Sequence, residues 1–220
     1  MGDASGAPRN RYWLLRHGHS LANEAGIIIS KKANGIKQEY CLSSLGREQV
    51  EQAGLLLKEQ LSAALATNPP ILILASPFSR TLETARLVAA EVGVDPFGPH
   101  FLVRDELVER DFGSDNEGQP YAGRYEAVWA EDQRDSQHPA GSDGESVVNV
   151  AERLRALLQE VEGQHQGCNV LLVAHGDTLS ICQALMTSGV GPSLCQHRQH
   201  HFNTAELKRV ELRAHLRGSP

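Results

Sequence analysis

Short apolar runs alternate along this chain with longer segments in which apolar residues recur every three or four positions. Three runs rich in Leu, Ile and Val predict buried strands at residues 12–15, 71–75 and 169–174. Segments with helical spacing follow these runs. The alternation of strands and helices favours an α/β protein.

Four helices are predicted by the spacing of the apolar residues. They cover residues 45–66, 79–91, 178–186 and a segment whose apolar face contains Val147, Val150, Leu154, Leu157 and Val161. The sequence Ser142-x-x-Glu145 resembles a capping box, which would begin the helix that contains Val147. Two weaker signals predict a short strand at 101–103 and an edge strand at 206–212.

Residues 113–144 are rich in Gly, Asp, Ser and Gln, which indicates a loop with one short helix near residues 125–129. A chain of 220 residues is short enough for one hydrophobic core. We therefore expect a single domain over residues 11–216, with flexible segments at 1–10 and 217–220.

The overall charge and composition argue against several classes of protein. A net charge of −6 disfavours binding to nucleic acid or to an anionic membrane surface. No apolar run approaches the roughly 20 residues of a membrane span, and the start of the chain lacks the apolar stretch of a secretory signal. Four cysteines (Cys41, Cys168, Cys182 and Cys195) lack metal-binding spacing, so we expect reduced thiols in a cytoplasmic protein.

Polar residues follow each of the three predicted buried strands. Arg16 and His17 follow the first strand, Arg80 comes shortly after the second, and His175 follows the third. Ligands of open α/β sheets bind beyond the carboxyl ends of the strands, where helix N-termini also attract anions. Two arginines and two histidines at that edge therefore predict a binding site for phosphate.

Several sequence motifs, in this order, resemble those of the histidine phosphatase superfamily, whose members are also called phosphoglycerate mutase-like. The motifs are Arg16-His-Gly-His-Ser20 with Asn23, Leu42-Ser-x-x-Gly46-x-x-Gln49, Ser76-Pro-Phe-Ser-Arg80-Thr, Glu106-Leu-Val-Glu109-Arg-Asp-Phe-Gly113, Gly144-Glu-Ser146 and Val173-Ala-His175-Gly176. The resemblance extends along most of the chain. It implies a three-layer α/β/α sandwich with a central, mostly parallel sheet.

The resemblance also implies a hydrolase that needs no metal and no cofactor, and that removes phosphate from a small phosphorylated substrate. His17 would attack phosphorus as a neutral imidazole and form a phosphohistidine intermediate, which water then hydrolyses. Arg16 and Arg80 would bind the phosphate oxygens, because a guanidinium group is a planar and permanently charged donor. Their charge would also lower the pKa of His17 and keep it unprotonated.

Two further residues would take part in the chemistry. A protonated His175 would stabilise the charge of the transferring group. Glu109 would protonate the leaving oxygen and later activate water. The spacing of the motif favours Glu109 over Glu106, which lies three residues earlier and is the alternative acid.

Other residues are expected near the substrate. The side chain of Asn23, the amide of Gly176 and Arg110 are expected to bind it, Arg110 because it resembles a substrate-binding residue of mutases in the same superfamily. The segment His197–His201 lacks carboxylates and cysteines at metal-binding spacing, so we expect a loop that faces solvent or, in part, the substrate. His19 would contact substrate or face solvent.

Alternatives to a small-molecule phosphatase stay open. A mutase would return the phosphate to its product, but the short interval between Glu109 and His175 leaves little chain to cover the intermediate and favours hydrolysis. A phosphopeptide or phosphoprotein is an alternative substrate. A degenerate domain that only binds would lack the nucleophile, an arginine or the second histidine, and all of these are present. Residues 26–40 and 114–141 are expected to form the pocket walls.

Overall fold

The computed structural model describes residues 10–63, residues 69–213 and Leu216. The flexible ends expected at 1–10 and 217–220 lie outside this part of the chain, apart from Asn10. Asn10 is buried, and its side chain accepts a hydrogen bond from the amide of Cys168. Among the described residues, no helix is long and apolar enough to cross a membrane.

In the part of the chain that the structure describes, a five-stranded sheet forms the centre of the fold. Its strands are β1 (Arg11–Arg16), β2 (Ile71–Ala75), β3 (Phe101–Val103), β4 (Asn169–Ala174) and β5 (Leu207–Val210). They are arranged in the order β3-β2-β4-β1-β5, in which β5 is antiparallel to β1 and all other neighbours are parallel. The three predicted buried strands are confirmed as β1, β2 and β4, and the two weaker strand predictions as β3 and β5.

Seven α-helices connect the strands within the described residues. They are α1 (Leu21–Ala25), α2 (Lys32–Gly35), α3 (Ser44–Ala63), α4 (Ser79–Val92), α5 (Arg124–Arg134), α6 (Val147–Gln164) and α7 (Gly176–Ser188). Short 3₁₀-helices lie at Gln38–Tyr40, Asp105–Leu107 and Pro192–His200. The four helices predicted from periodicity are α3, α4, α6 and α7; the predicted end of α3, at residues 64–66, lies outside the described residues.

The short helix predicted near residues 125–129 is longer in the structure. It is α5, and it covers 11 residues. Gly123 precedes it with a φ of 78°, a left-handed conformation that glycine adopts without steric cost. This turn ends the glycine-rich loop and directs the chain into the helix.

Alternate residues of the central strands bury their side chains on opposite faces of the sheet. Tyr12 and Leu14 of β1 pack with residues of α6 and α7, whereas Trp13 and Leu15 pack with residues of α3 and α4. Burial on both faces explains why the central strands are continuous apolar runs rather than alternating ones. The predicted three-layer α/β/α sandwich is thereby confirmed.

The start of α6 differs from the prediction. Its N-cap is Ser146, whose Oγ accepts a hydrogen bond from the amide of Asn149, while Oδ1 of Asn149 accepts one from the amide of Ser146. The predicted capping box at Ser142 and Glu145 is wrong. Glu145 is unavailable for capping because its carboxylate forms an ion pair with Arg153.

Candidate active site

The carboxyl ends of three neighbouring strands bring the predicted site residues together. Because β4 lies between β1 and β2, the residues that follow these strands meet at one edge of the sheet. The amide of His17 donates to the carbonyl of Ala174, and the amide of Ser76 donates to the carbonyl of Val173, both at 3.0 Å. His175 follows β4 directly, and its ring centroid lies 5.3 Å from that of His17.

His17 is buried, with 3% of its surface exposed. Its Nδ1 lies 2.7 Å from the carbonyl oxygen of Gly18, which can only accept, so Nδ1 carries the proton. Its Nε2 accepts a hydrogen bond of 3.1 Å from Nε of Arg80. Burial and the positive charges of Arg80 and Arg16 lower the pKa of His17 well below its usual range. The ring is therefore neutral, and Nε2 has the lone pair of a nucleophile.

Two glycines allow the loop after β1 to lie against the start of α3. A side chain at Gly18 would collide with the carbonyl of Gly46, and a side chain at Gly46 would collide with the carbonyl of His19. Gln49, one turn further along α3, accepts a hydrogen bond from the amide of His19. Gly46 and Gln49 of the second sequence motif therefore hold the loop that carries His17.

Arg80, in the first turn of α4, and Arg16, at the end of β1, each have a donor that no acceptor among the described residues satisfies. Nη2 of Arg80 donates to the carbonyl of Ile29 at 2.9 Å, and Nη1 of Arg16 donates to the carbonyl of Phe202 at 2.7 Å. Nη1 of Arg80 and Nε of Arg16 are buried and have no hydrogen-bond partner among the described residues. Because a buried unpaired donor is costly, these two charged donors indicate where an anion binds.

His175 is fully buried between Arg80 and Ser76. Its Nδ1 lies 3.2 Å from Nη2 of Arg80, which can only donate, and its Nε2 lies 2.9 Å from Oγ of Ser76. Burial and the charge of Arg80 lower the pKa of His175 well below its usual range. The ring is therefore neutral in this structure, whereas the expectation of a protonated His175 concerns the complex with a transferring phosphoryl group. A phosphate dianion alongside would raise this pKa again.

Glu109 is buried beside the start of α7. Its Oε1 accepts hydrogen bonds from the amide of Arg110 at 3.0 Å and from the amide and hydroxyl of Thr178 at 3.2 and 3.1 Å. Its Oε2 has no hydrogen-bond partner in the part of the chain that the structure describes. Burial and the charge of Asp177 raise the pKa of Glu109. A carboxyl group in this environment keeps its proton to higher pH and can donate it from Oε2.

A cavity of about 330 Å³ lies against this edge of the sheet. Four of the predicted site residues line it: Arg16, Asn23, Glu109 and Gly176. His17, Arg80 and His175 are buried and do not form part of its wall. Glu106, the alternative acid, does not line the cavity and instead forms an ion pair of 3.1 Å with Arg104.

Aromatic and cationic side chains form much of the remaining cavity wall. They are Tyr121, Tyr125 and Trp129, from α5 and the turn before it, and Arg198 and His201, from the segment after α7. The aromatic residues belong to the predicted wall segment 114–141. Ile27 is the lining residue from the other predicted wall segment, 26–40, and His19 from the first motif also lines the cavity.

Asn23 and Gly176 offer further hydrogen-bond donors at the cavity. Oδ1 of Asn23 accepts from the amide and the hydroxyl of Ser20, which leaves the side-chain NH₂ as a donor. Gly176 is the first residue of α7, where backbone amides lack partners within the helix. A Cβ at Gly176 would lie 3.3 Å from the guanidinium carbon of Arg16 and would press on that group.

Arg110 does not line the cavity. It is fully buried and donates to both carboxylate oxygens of Asp132 at 2.6 and 2.8 Å, to Asp177 at 3.2 Å and to the carbonyl of Glu145 at 2.9 Å. Its donors are used within the protein, where they compensate two buried carboxylates. This position does not support the expectation that Arg110 binds substrate.

His197 is buried, which corrects the expectation that the histidine-rich segment faces solvent or substrate. Its Nε2 lies 3.3 Å from Oδ1 of Asp177, and with Asp132 these residues form a cluster whose ligand atoms lie within 4.8 Å of one another. The guanidinium of Arg110 contacts both carboxylates of this cluster, and that of Arg198 lies 3.6 Å from Asp177. His201, by contrast, lines the cavity, as the expectation allowed for part of the segment.

Asp177 and Thr178 belong to the site, although neither lies in one of the sequence motifs. Asp177 lines the cavity and raises the pKa of Glu109, and Thr178 donates two hydrogen bonds to the same carboxylate. Both directly follow the motif that contains His175, in the first turn of α7. Polar residues at a helix start were the signal available in the sequence, but their contact with Glu109 depends on the fold.

The fold and the site define an α/β/α protein with an anion site built from two arginines and two histidines at the carboxyl edge of its sheet. The family model described as "Histidine phosphatase superfamily (branch 1)" matches residues 12–217. The chain belongs to the histidine phosphatase superfamily.

Individual relatives agree with this assignment. A protein named "Putative phosphoserine phosphatase 2" from Hydrogenobacter thermophilus is 30% identical over 190 residues, which cover 82% of this chain and 80% of that protein. An acid phosphatase from Mycobacterium tuberculosis is 29% identical over 211 residues, which cover 92% of this chain and 86% of that protein. The structure of a mycobacterial glucosyl-3-phosphoglycerate phosphatase with VO3 has the same fold, with a TM-score of 0.71, 24% identity and 90% of each chain covered.

Proposed function

We propose that this protein is a metal-independent phosphatase that hydrolyses small phosphomonoesters through a phosphohistidine at Nε2 of His17. The observation that carries the proposal is a pair of buried guanidinium donors, Nη1 of Arg80 and Nε of Arg16, close to the neutral imidazole of His17. Neither donor has an acceptor among the described residues. A transferring phosphoryl group spreads charge over three oxygens that need such donors. The phosphatases named among the relatives support hydrolysis as the reaction.

In the first half of the reaction, the phosphate dianion binds at Arg16 and Arg80. Nε2 of His17 attacks phosphorus in line with the ester oxygen, so that the P–N bond forms as the P–O bond breaks. The imidazole then carries positive charge, which the hydrogen bond from Nδ1 to the carbonyl of Gly18 stabilises. Glu109 gives its proton to the leaving oxygen, and the organic group departs as a neutral alcohol.

In the second half, water replaces the alcohol. The ionised Glu109 takes a proton from water as the water oxygen attacks phosphorus, and the electron pair of the P–N bond returns to Nε2 of His17. Asn23 and the amide of Gly176 donate to the phosphate oxygens in both halves. The bound dianion raises the pKa of His175, which adds positive charge beside the transferring group.

The cavity suits a small phosphorylated metabolite better than a phosphoprotein. Its volume of about 330 Å³ lies at the lower end of the range for small-molecule sites, roughly 300–1,000 Å³. Tyr125, Trp129 and Arg198 line the cavity and offer aromatic and polar contacts to a small leaving group. The relatives named for phosphoserine and for glucosyl-3-phosphoglycerate support a substrate of this class.

Transfer to water is favoured over a mutase reaction. Tyr121, at the cavity, is exposed, so water has access to the intermediate. We expect the release of inorganic phosphate to be much faster than phosphoglycerate isomerisation in the presence of bisphosphoglycerate. Isomerisation as the faster reaction would replace the phosphatase proposal with a mutase.

The test is to trap the intermediate with a radiolabelled phosphomonoester chosen by a phosphate-release screen of metabolites. After an alkaline quench, wild-type protein should carry label that is stable in alkali and lost in acid, as phosphohistidine is. His17→Asn should carry none. His138→Asn, which changes an exposed histidine in the loop after α5, should label like wild type. Label that survives acid, as phosphoserine does, would contradict the mechanism.

We also propose that the protein works in the cytoplasm without nucleic acid or membrane partners. Its four cysteines (Cys41, Cys168, Cys182 and Cys195) are all described by the structure and form no disulfide, which fits a reducing compartment. The net charge of −6 disfavours anionic surfaces. Recovery of the native protein in a membrane fraction after cell lysis would contradict this placement.

A further inference from the structure

Three aromatic side chains, four residues apart in sequence, form a stack at the cavity wall. The ring centroids of Tyr121 and Tyr125 are 6.0 Å apart, and those of Tyr125 and Trp129 are 5.2 Å apart, with interplanar angles of 12° and 13°. Phe112 packs edge-on against Tyr125 at 4.8 Å. Nε1 of Trp129 donates to Asp177 at 3.0 Å and anchors one end of the stack. The ring of Tyr125 is therefore held from three directions.

The hydroxyl of Tyr125 has no hydrogen-bond partner among the described residues, although the ring lines the cavity. Trp129 uses its polar atom inside the protein, so Tyr125 differs from its neighbour in the stack. An ordered aromatic ring that presents an unpaired hydroxyl at a cavity is suited to bind a polar ligand atom.

Charged groups of the site surround this hydroxyl. Burial and the negative charge of Glu109 raise the pKa of Tyr125, against the opposing charges of Arg80 and Arg16. The hydroxyl therefore stays protonated over the whole physiological range and can always donate. Tyr125 also lines the same cavity as Glu109 and Arg16, the proposed acid and one of the proposed phosphate-binding residues.

The position of the nucleophile decides which part of a substrate would reach Tyr125. His17 and Arg80 are buried outside the cavity wall, whereas Glu109 and Tyr125 form part of that wall. Phosphorus must approach Nε2 of His17, so the leaving group extends into the cavity past Glu109. Tyr125 lines the same cavity as Glu109, the proposed proton donor to the leaving oxygen, and is therefore placed to reach the leaving group.

We propose that the hydroxyl of Tyr125 hydrogen-bonds to a polar substituent of the leaving group. The enzyme would therefore prefer polar phosphate esters to apolar ones. This inference rests on the proposed phosphatase function. The substituent is a hydroxyl, amine or carboxylate close to the ester carbon. Tyr125 is thus a specificity-determining residue. Because stacking already holds the ring in place, the side chain loses little conformational entropy when its hydroxyl binds the substrate.

The test compares two probe esters, glycerol 3-phosphate and propyl phosphate, which differ in their hydroxyl groups. In Tyr125→Phe, the ratio of kcat/KM for glycerol 3-phosphate to that for propyl phosphate should fall about five- to tenfold, the effect of one lost hydrogen bond. kcat/KM for propyl phosphate and inhibition by vanadate should stay within about twofold of wild type. Tyr121→Phe, which changes a more exposed residue of the same stack, should keep the wild-type ratio.

Several results would overturn the inference. They are an unchanged ratio in Tyr125→Phe, equal losses on both esters, or the same change of ratio in Tyr121→Phe. Thermal unfolding of both variants would confirm that neither has lost its fold. Wild-type protein that releases phosphate neither from these two esters nor from any ester of the metabolite screen would instead contradict the proposed function, and this outcome is distinct from wild-type turnover with an unchanged ratio.

Discussion

Nε of Arg80 lies 3.1 Å from Nε2 of His17 and donates a hydrogen bond to it. This contact keeps Nε2 unprotonated, because a guanidinium donor and a second proton cannot share the site. It also occupies the lone pair that attacks phosphorus in the proposed mechanism. In that mechanism, phosphate would draw Arg80 away from His17 as it binds, so that binding of the anion would release the nucleophile.

Replacement of Arg80 tests this arrangement. Arg80→Lys should lower kcat/KM by about 10²-fold, because lysine keeps the charge but lacks the planar set of donors. Inhibition by vanadate, which mimics five-coordinate phosphorus, should weaken by a similar factor. Arg86→Lys changes an exposed arginine on the same helix and should have no effect on either quantity. Unchanged vanadate inhibition in Arg80→Lys would show that Arg80 does not bind the transferring group.

Removal of metal ions should leave the activity unchanged. Arg16 and Arg80 already supply the positive charge that a metal ion provides in other phosphatases. We expect the rate after dialysis against a chelator to stay within about twofold of the untreated enzyme. Activity that returns only on addition of Zn²⁺ or Mg²⁺ would contradict the proposed mechanism.

Glu109→Gln tests the general acid. The amide cannot give up a proton, so the rate on an alkyl phosphate should fall by most of the roughly 10²- to 10⁴-fold that general acid catalysis contributes. Nitrophenolate leaves readily without a proton, so the pre-steady-state burst on nitrophenyl phosphate should fall much less. Equal losses in the two assays would show that Glu109 positions the substrate instead.

Glu106→Gln is the matched control for this experiment. Glu106 lies three residues earlier but pairs with Arg104 and does not line the cavity, so its replacement should change neither rate. A large loss confined to the alkyl phosphate in Glu106→Gln would transfer the role of general acid to that residue.

The pH range in which kcat/KM is high should lie on the acid side. The reaction needs neutral His17, whose pKa is lowered from 6.5, so activity is lost only as the pH falls well below that value. It also needs protonated Glu109, whose pKa is raised from 4.5, so activity is lost as the pH rises through a value above 4.5. Glu109→Gln should remove the alkaline limb. An acid limb centred at pH 6.5 in wild type would contradict the lowered pKa of His17.

Arg110→Met separates a structural role from a substrate contact. Loss of the guanidinium leaves the buried carboxylate of Asp132 without its bidentate partner and removes one of several partners of Asp177. The free energy of unfolding should therefore fall by about 3–5 kcal/mol in denaturant titrations. Arg134→Met removes an exposed partner of Glu131 on α5 and should change it by less than about 1 kcal/mol. At a temperature where Arg110→Met is folded, its KM should match that of wild type. A large rise in KM at unchanged stability would restore the expectation that Arg110 binds substrate.

The main elements of the fold could be predicted because their signals are local. Strands β1, β2 and β4 are buried on both faces and therefore appear in the sequence as continuous apolar runs. The start of α6 could not be predicted in the same way. Ser142 and Glu145 match the capping pattern, but Arg153 binds Glu145, and Ser146 caps the helix instead.

The sequence by itself determined which residues are candidates for the chemistry. Arg16 ends a buried strand, His17 and His175 directly follow one, and Arg80 comes shortly after one. Parallel strands bring such residues to one edge of the sheet. Only the tertiary structure decided how buried charges pair. Arg110 follows the candidate acid in sequence, yet its partners Asp132 and Asp177 lie 22 and 67 residues further along the chain. The energy of a buried charge depends on the groups packed around it, which motif spacing does not encode.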